Sequence, residues 1–139
     1  IGAWLAYRFD RPILGETYLK AAMINEGLAV IDEAYAGIGK TGGRMVEPEV
    51  HRLQGELLLL DVGKEAEAEA CFQSAIEVAK KQKSKSWELR ATMSLCRLWQ
   101  GQGKREGARK MLAEIFDWFT EGFDMPDLQE AKSLLKALS

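Results

Sequence analysis

Histidine occurs once in this chain, cysteine twice and proline three times. A lone imidazole, His51, has no HExxH partner and cannot complete a zinc-hydrolase pattern. Glu47, Glu49 and Glu56 lie near it in sequence and read as solvated acids on a helix surface, so no catalytic residue, metal ligand or cofactor-binding residue is assigned, and no cofactor is expected. Cys71 and Cys96 stand 25 residues apart without CxxC spacing, which supports neither a zinc site nor a disulfide framework. They sit beside apolar positions with nothing recognisable to activate them, and read as buried, inert thiols. Alternating β-branched residues are scarce, so strands are not expected. The longest apolar run, Ala3–Tyr7, is far short of a bilayer span, and no leader pattern opens the chain. A basic excess is also missing: the net charge is −2, whereas a nucleic-acid binder normally carries positive charge to displace counterions. These absences point to a cytoplasmic, reduced protein with neither membrane nor nucleic acid as partner. The first residue is Ile1, from which a fragment of a longer protein is expected.

Helical spacing is what remains, and it is everywhere. Asp10 and Pro12 can open a helix reaching about Ala22, with an earlier turn near Trp4. Asn25 starts a second, which the glycine-rich GIGKTGG at 37–43 should stop. The third runs over about Glu47–Val62, with Val50, Leu53, Leu57 and Leu60 on one face and Gly63 as its breaker. The fourth, Lys64–Gln82, has a stripe of Ala68, Cys71, Phe72, Ala75, Ile76 and Ala79. Ser86 can cap a fifth helix to about Gln100. A sixth runs over about Lys104–Thr120 with Ala108, Leu112, Ile115, Phe116 and Phe119 inward. Asp124 and Pro126 open a last helix to Leu138, carrying Leu128, Ala131, Leu134, Leu135 and Leu138.

The helices pair, and the pairs share a period. Ala22, Gly63 and Gly103 fall at equivalent turns, separated by 41 and 40 residues. Around them run a large column (Tyr18, Leu59, Trp99), a small one (Gly27, Ala68, Ala108), a second large one (Ile31, Phe72, Leu112) and a third, small except for its last member (Ala34, Ala75, Ile115). Antiparallel helices need small residues where they cross closely and large ones where the gap opens, and stacked pairs bury faces that one pair cannot. The expected fold is therefore all-α: about three antiparallel helix pairs over 4–43, 47–85 and 86–122, and a capping helix at 124–138 whose Lys132 and Lys136 face water, all in one domain of residues 1–139.

The order of large and small residues in 57–79 (LLLLDVGKEAEAEACFQSAIEVA) and 98–112 (LWQGQGKREGARKML) resembles the tetratricopeptide repeat, with long helices. Gly15 and Cys96 fill the small slot of the first helix, twelve residues before the small residue of the second; Gly55 lies thirteen before Ala68. EVHRLQGELLL (49–59), AEACFQSAIEVAKKQKSKSWELRATMSLCRLW (68–99) and WFTEGFDMPDLQEAKSLL (118–135) look like the C-terminal repeats of large bacterial signalling ATPases, in which a nucleotide cyclase or winged-helix domain precedes an AAA-type ATPase. The resemblance implies a tetratricopeptide-like superhelix serving as a regulatory tail. Any enzymatic activity would then belong to upstream domains.

GIGKT at 37–41 lacks the earlier glycine of a phosphate loop, since that position is Ala34, and is expected to be a turn between repeats. KKQKSK at 80–85 has no interleaved aromatic and reads as a solvated helix end. Trp87, Trp99, Trp118, Phe116 and Phe119 read as core, with Trp87 as a possible binding anchor beside its loop. By register, the first helices present Glu16, Lys20, Arg52, Glu56, Arg90, Arg97 and Gln100 to a protein or peptide partner, which could be another domain of the parent chain. Arg90 and Arg97, seven residues apart and on one helix face, either hold an acidic segment or pair with neighbouring glutamates. The structural rival is an array that packs intramolecularly or self-associates; an uncovered first pair could also drive a homodimer.

Overall fold

The computed structural model describes residues 24–41 and 43–139. Among the described residues the chain is helical throughout, in six α-helices: α1 (Ile24–Thr41), α2 (Glu47–Leu58), α3 (Glu65–Gln82), α4 (Lys85–Gly101), α5 (Arg105–Phe116) and α6 (Pro126–Leu138), with a 3-10 turn at Gly43–Val46 between α1 and α2. No helix among these residues is long and apolar enough to cross a membrane. Consecutive helices are packing neighbours, and α4 also touches both α2 and α6, so it lies between them. The expected helix over 10–22, with Tyr18 and Ala22, lies outside the described residues.

The columns meet as the sequence requires. Gly27, Ala68 and Ala108 are buried, and Ile31, Phe72 and Leu112 are fully enclosed. Leu59 and Trp99 pack against one cluster with Ala68, Phe72 and Leu95. In the third column Ala75 and Ile115 are buried and Ala34 is half-buried. The close crossing of α2 and α3 depends on Gly55: a Cβ added there would stand 2.5 Å from Cε1 of Phe72. In the next hairpin the small slot is Cys96, whose thiol donates to the Ala108 carbonyl at 3.2 Å. Gly63 and Gly103 turn the two hairpins with the same φ of +82°, a left-handed backbone that a side chain would strain. Leu128, Ala131, Leu134 and Leu138 of α6 join Leu89, Met93, Leu112 and Ile115 in one core cluster, while Lys132 and Lys136 are exposed.

Several expectations change. GIGKT is helical, lying inside α1 rather than in a turn; two glycines cost roughly 1 kcal/mol each in a helix, a cost that packing on α2 can offset. Beyond Leu58 the backbone tightens, with Leu60 N–H on Leu57 O (3.1 Å) and Asp61 N–H on Leu58 O (3.0 Å), so α2 stops short of Val62 and Leu60 is 42% exposed. The same tightening, Trp118 N–H on Ile115 O and Phe119 N–H on Phe116 O, ends α5 before Thr120 and leaves Trp118 57% exposed rather than in the core. Cys71, Ile76, Phe116, Phe119 and Leu135 are half-buried at the margins of their stripes. Ser86 lies inside α4 and does not cap it; the cap position is Ser84, which makes no side-chain capping bond. None of α2 to α6 has such a bond. Each instead places Asp or Glu in its first turn, where the helix dipole favours negative charge, and relies on tertiary packing.

Replacing Gly55 by Ala should cost about 1–3 kcal/mol, because Phe72 must move within a full core. Gly101→Ala, where an added Cβ meets open space, should be neutral or stabilising by up to about 1 kcal/mol. Urea unfolding of the two variants checks this; equal effects would remove the special role of the Gly55 crossing.

Candidate functional site

The first helices of the hairpins and α6 share a polar face, and the structure brings most of the expected binding residues together there. Glu49, in the first turn of α2, is only 6% exposed. Its carboxylate accepts from Arg52 Nε and from Arg52 Nη2 (3.1 Å) within the same helix, and pairs with Arg90 Nη1 of α4 at 2.6 Å. Arg90 reaches on to Asp127 of α6 at 3.9 Å. Arg52 also meets Glu56 at 3.8 Å and donates to Ser94 Oγ of α4 at 3.4 Å. Further along, Arg97 pairs with Glu130 of α6. A ladder of charge thus runs across three helices.

A carboxylate so far from water is satisfied here by two guanidinium groups; removing one partner of a buried pair typically costs about 3–5 kcal/mol. The Arg97–Glu130 pair is 43% and 52% exposed, and pairs of that kind contribute roughly 0–1 kcal/mol. Glu49 is therefore not the solvated surface acid expected from the sequence. Glu49 and Arg90 stand 41 residues apart, one more than the 40 that separate Gly63 from Gly103; opposite charges about one repeat apart were the signal that could have found the pair. Asp127 and Glu130 carry no comparable signal, because no later helix among the described residues repeats the register of α6.

Of the two outcomes open for Arg90 and Arg97, the structure shows pairing with glutamates, and with Asp127. Gln100 is half-buried on α4. Glu56, Arg97, Ser94, Glu65 and Gln102 line a cleft of about 400 Å³ floored by Leu59 and Leu98. Trp87 is half-buried, with the Arg90 guanidinium 5.8 Å from its ring centroid, a cation–π approach. Glu16 and Lys20 lie outside the described residues. Trp99 is held in place by donating Nε1–H to Glu69 Oε1 at 2.9 Å.

His51 sits elsewhere, at the α1–α2 contact. The Tyr35 hydroxyl donates to Gln54 Oε1 at 2.7 Å and bonds to His51 Nδ1, and His51 Nε2 lies 3.7 Å from Glu47. Burial lowers the pKa of His51, outweighing the pull of Glu47 in the other direction. Burial also raises that of Tyr35, as do the neighbouring Cys71, Glu47 and Asp32. A hydroxyl that resists ionisation is a poor nucleophile. Burial likewise pushes the Cys96 thiol up to about 12 and raises Cys71, where Glu67 adds to the effect, so both thiols stay protonated near neutral pH. Among the described residues no group of three His, Cys, Asp or Glu is placed to hold a metal ion. No family model matches the chain, and no curated protein matches its sequence.

Glu49→Ala should destabilise by about 3 kcal/mol, since it removes the buried partner shared by two arginines, whereas Glu130→Ala should cost under about 1 kcal/mol; chemical denaturation measures both. The lowered pKa of His51 sets a pH dependence. A neutral ring favoured by folding contributes its full stability above the unfolded pKa of about 6.5 and loses it as pH falls through the folded value. The wild type should lose more stability than His51→Gln between neutral pH and about pH 5, and parallel pH profiles would show that His51 is not the titrating group.

Proposed function

We propose that the chain is a tetratricopeptide-like repeat domain that works as a protein-interaction module. On this reading α2 and α4 are the first helices of successive hairpins, α3 and α5 the second helices, and α6 the cap. The face shared by α2, α4 and α6 receives a protein or peptide, which can be another domain of the parent chain. The observation that carries the reading is the recurrence of the close crossing: Ala68 and Ala108, with Phe72 and Leu112 after them, are fully buried at equivalent places in successive hairpins, and Gly63 and Gly103 turn those hairpins identically. Arrays built this way offer an extended surface rather than a reaction centre. The sequence resemblance supports reading such a module as the regulatory tail of a bacterial signalling ATPase or nucleotide cyclase.

One observation favours the structural rival, an array that packs intramolecularly or self-associates. The ladder from Arg52 through Glu49 and Arg90 to Asp127 uses the face's charges internally, so it braces the helices. Under the docking reading Glu56 and Gln100, near the C-terminal ends of α2 and α4, make polar contacts, and Trp87 anchors at the other end of α4.

Sedimentation across a range of concentrations should give a monomer. Capture with chemical cross-linking should recover one heterologous protein whose affinity drops by about tenfold or more in the Glu56→Arg, Gln100→Glu double variant. Self-association with no heterologous partner would sink the docking reading in favour of the structural one.

A further inference from the structure

The basic run at 80–85 has no aromatic residue within it, but the fold supplies one from elsewhere. A cleft of about 250 Å³ opens between α3 and α5 on the side away from the charge ladder. Ile76 and Lys80 of α3, Met111, Glu114 and Ile115 of α5, and Trp118 form its walls, and Lys85, Glu88 and Thr92 of α4 its floor. Trp118, at the mouth, is 57% exposed, and its ring lies 5.6 Å from Lys85 Nζ. A large aromatic left open beside apolar walls is the residue type that most often anchors a partner. Resting on the interaction-module reading above, we propose that this cleft docks an acidic peptide segment carrying one large apolar side chain.

The charges select that occupant. Glu88 is buried and matched by Lys85 at 3.4 Å, so this pair cancels. Lys81 is matched by Glu77 at 3.7 Å. Lys80 and Lys83 are exposed and have no ion-pair partner among the described residues. Lys80 lines the α3 end of the cleft, and Lys83 follows one turn later, closing that helix with a φ of 58°. Glu114 is the one acid of the lining left to oppose them. An apolar side chain against Trp118, Ile76 and Met111, with carboxylates towards Lys80 and Lys83, satisfies both the walls and the rim. A single-stranded nucleic acid fits less well: it stacks successive bases on several aromatics, whereas this cleft has one.

The proposal is tested by fluorescence anisotropy with the intact chain and a panel of short labelled peptides. In these a central Trp, Phe, Leu or Met is flanked by Asp and Glu; the controls are the same peptides with Lys in place of the acids, and oligothymidylate. The acidic peptides should bind saturably and more weakly as salt rises. Trp118→Ala and the Lys80→Glu, Lys83→Glu pair should each weaken binding by about tenfold or more, with far-UV circular dichroism unchanged because all three residues are exposed. The proposal is overturned if the whole acidic panel fails to bind, if the lysine peptides or oligothymidylate bind as well, or if the variants bind like the wild type. A failed panel together with a heterologous partner still sensitive to Glu56 and Gln100 rejects the cleft alone. A failed panel with no partner at all rejects the module reading too.

Discussion

The fold rests on how closely the two helices of a hairpin can approach. At the α2–α3 crossing the absence of a Cβ on Gly55 is what admits the Phe72 ring, and in the following hairpin Cys96 and Ala108 bring α4 and α5 near enough for a thiol to reach a carbonyl. With bulkier residues at these points the axes would separate, and Phe72 and Leu112, now fully enclosed, would face voids that a close-packed interior does not tolerate cheaply. Helix caps do little to compensate, because the N-termini of α2 to α6 lack side-chain capping bonds. Each helix is stable mainly because its neighbours cover it.

That dependence gives the charge ladder its significance. Apolar contacts hold hairpins together but specify rotation and register between them weakly, since many apolar side chains can exchange places at small cost. Glu49 bonded to Arg52 and Arg90 admits few alternatives: shifting α4 along α2 would leave a carboxylate and a guanidinium unmatched in a poorly solvated place. The desolvation of Glu49 is offset by two cations, so the net stability gained is small. What the arrangement supplies is one relative placement of α2 and α4, extended to α6 through Asp127.

Much of this was legible in the amino acids. The buried columns, the turning glycines at 63 and 103, and the opening of α6 at Pro126 all follow from local periodicity and backbone preference, which act over a few residues and leave a pattern in sequence. The misses have a different origin. The glycines of GIGKT read as a stop because propensity is local, yet α1 continues through them where it has α2 to pack on. Glu49 looked like any other helical acid, since its burial is produced by α4, some forty residues later. Trp118 looked like core because it fell among aromatics at helical spacing; α5 ends two residues before it, and the ring turns out beside Lys85. Boundaries and burial depend on partners, and composition does not name partners.

The two faces treat similar charges in opposite ways, and desolvation explains the difference. On the α2–α4–α6 face the helices pack directly, water is excluded around Glu49, and every cation drawn towards it is held by a neighbour. Between α3 and α5 the chain leaves a cleft lined by Lys80, and Lys80 and Lys83 are both exposed and need no partner from the fold. A hydrated lysine costs nothing to keep and little to desolvate partially when a carboxylate arrives, whereas Arg90 would first have to release Glu49. Residues that look most like binding groups in sequence, arginines at regular spacing on one helix face, are thus the ones the fold has already engaged. The groups left free lie where the stacking of hairpins is incomplete.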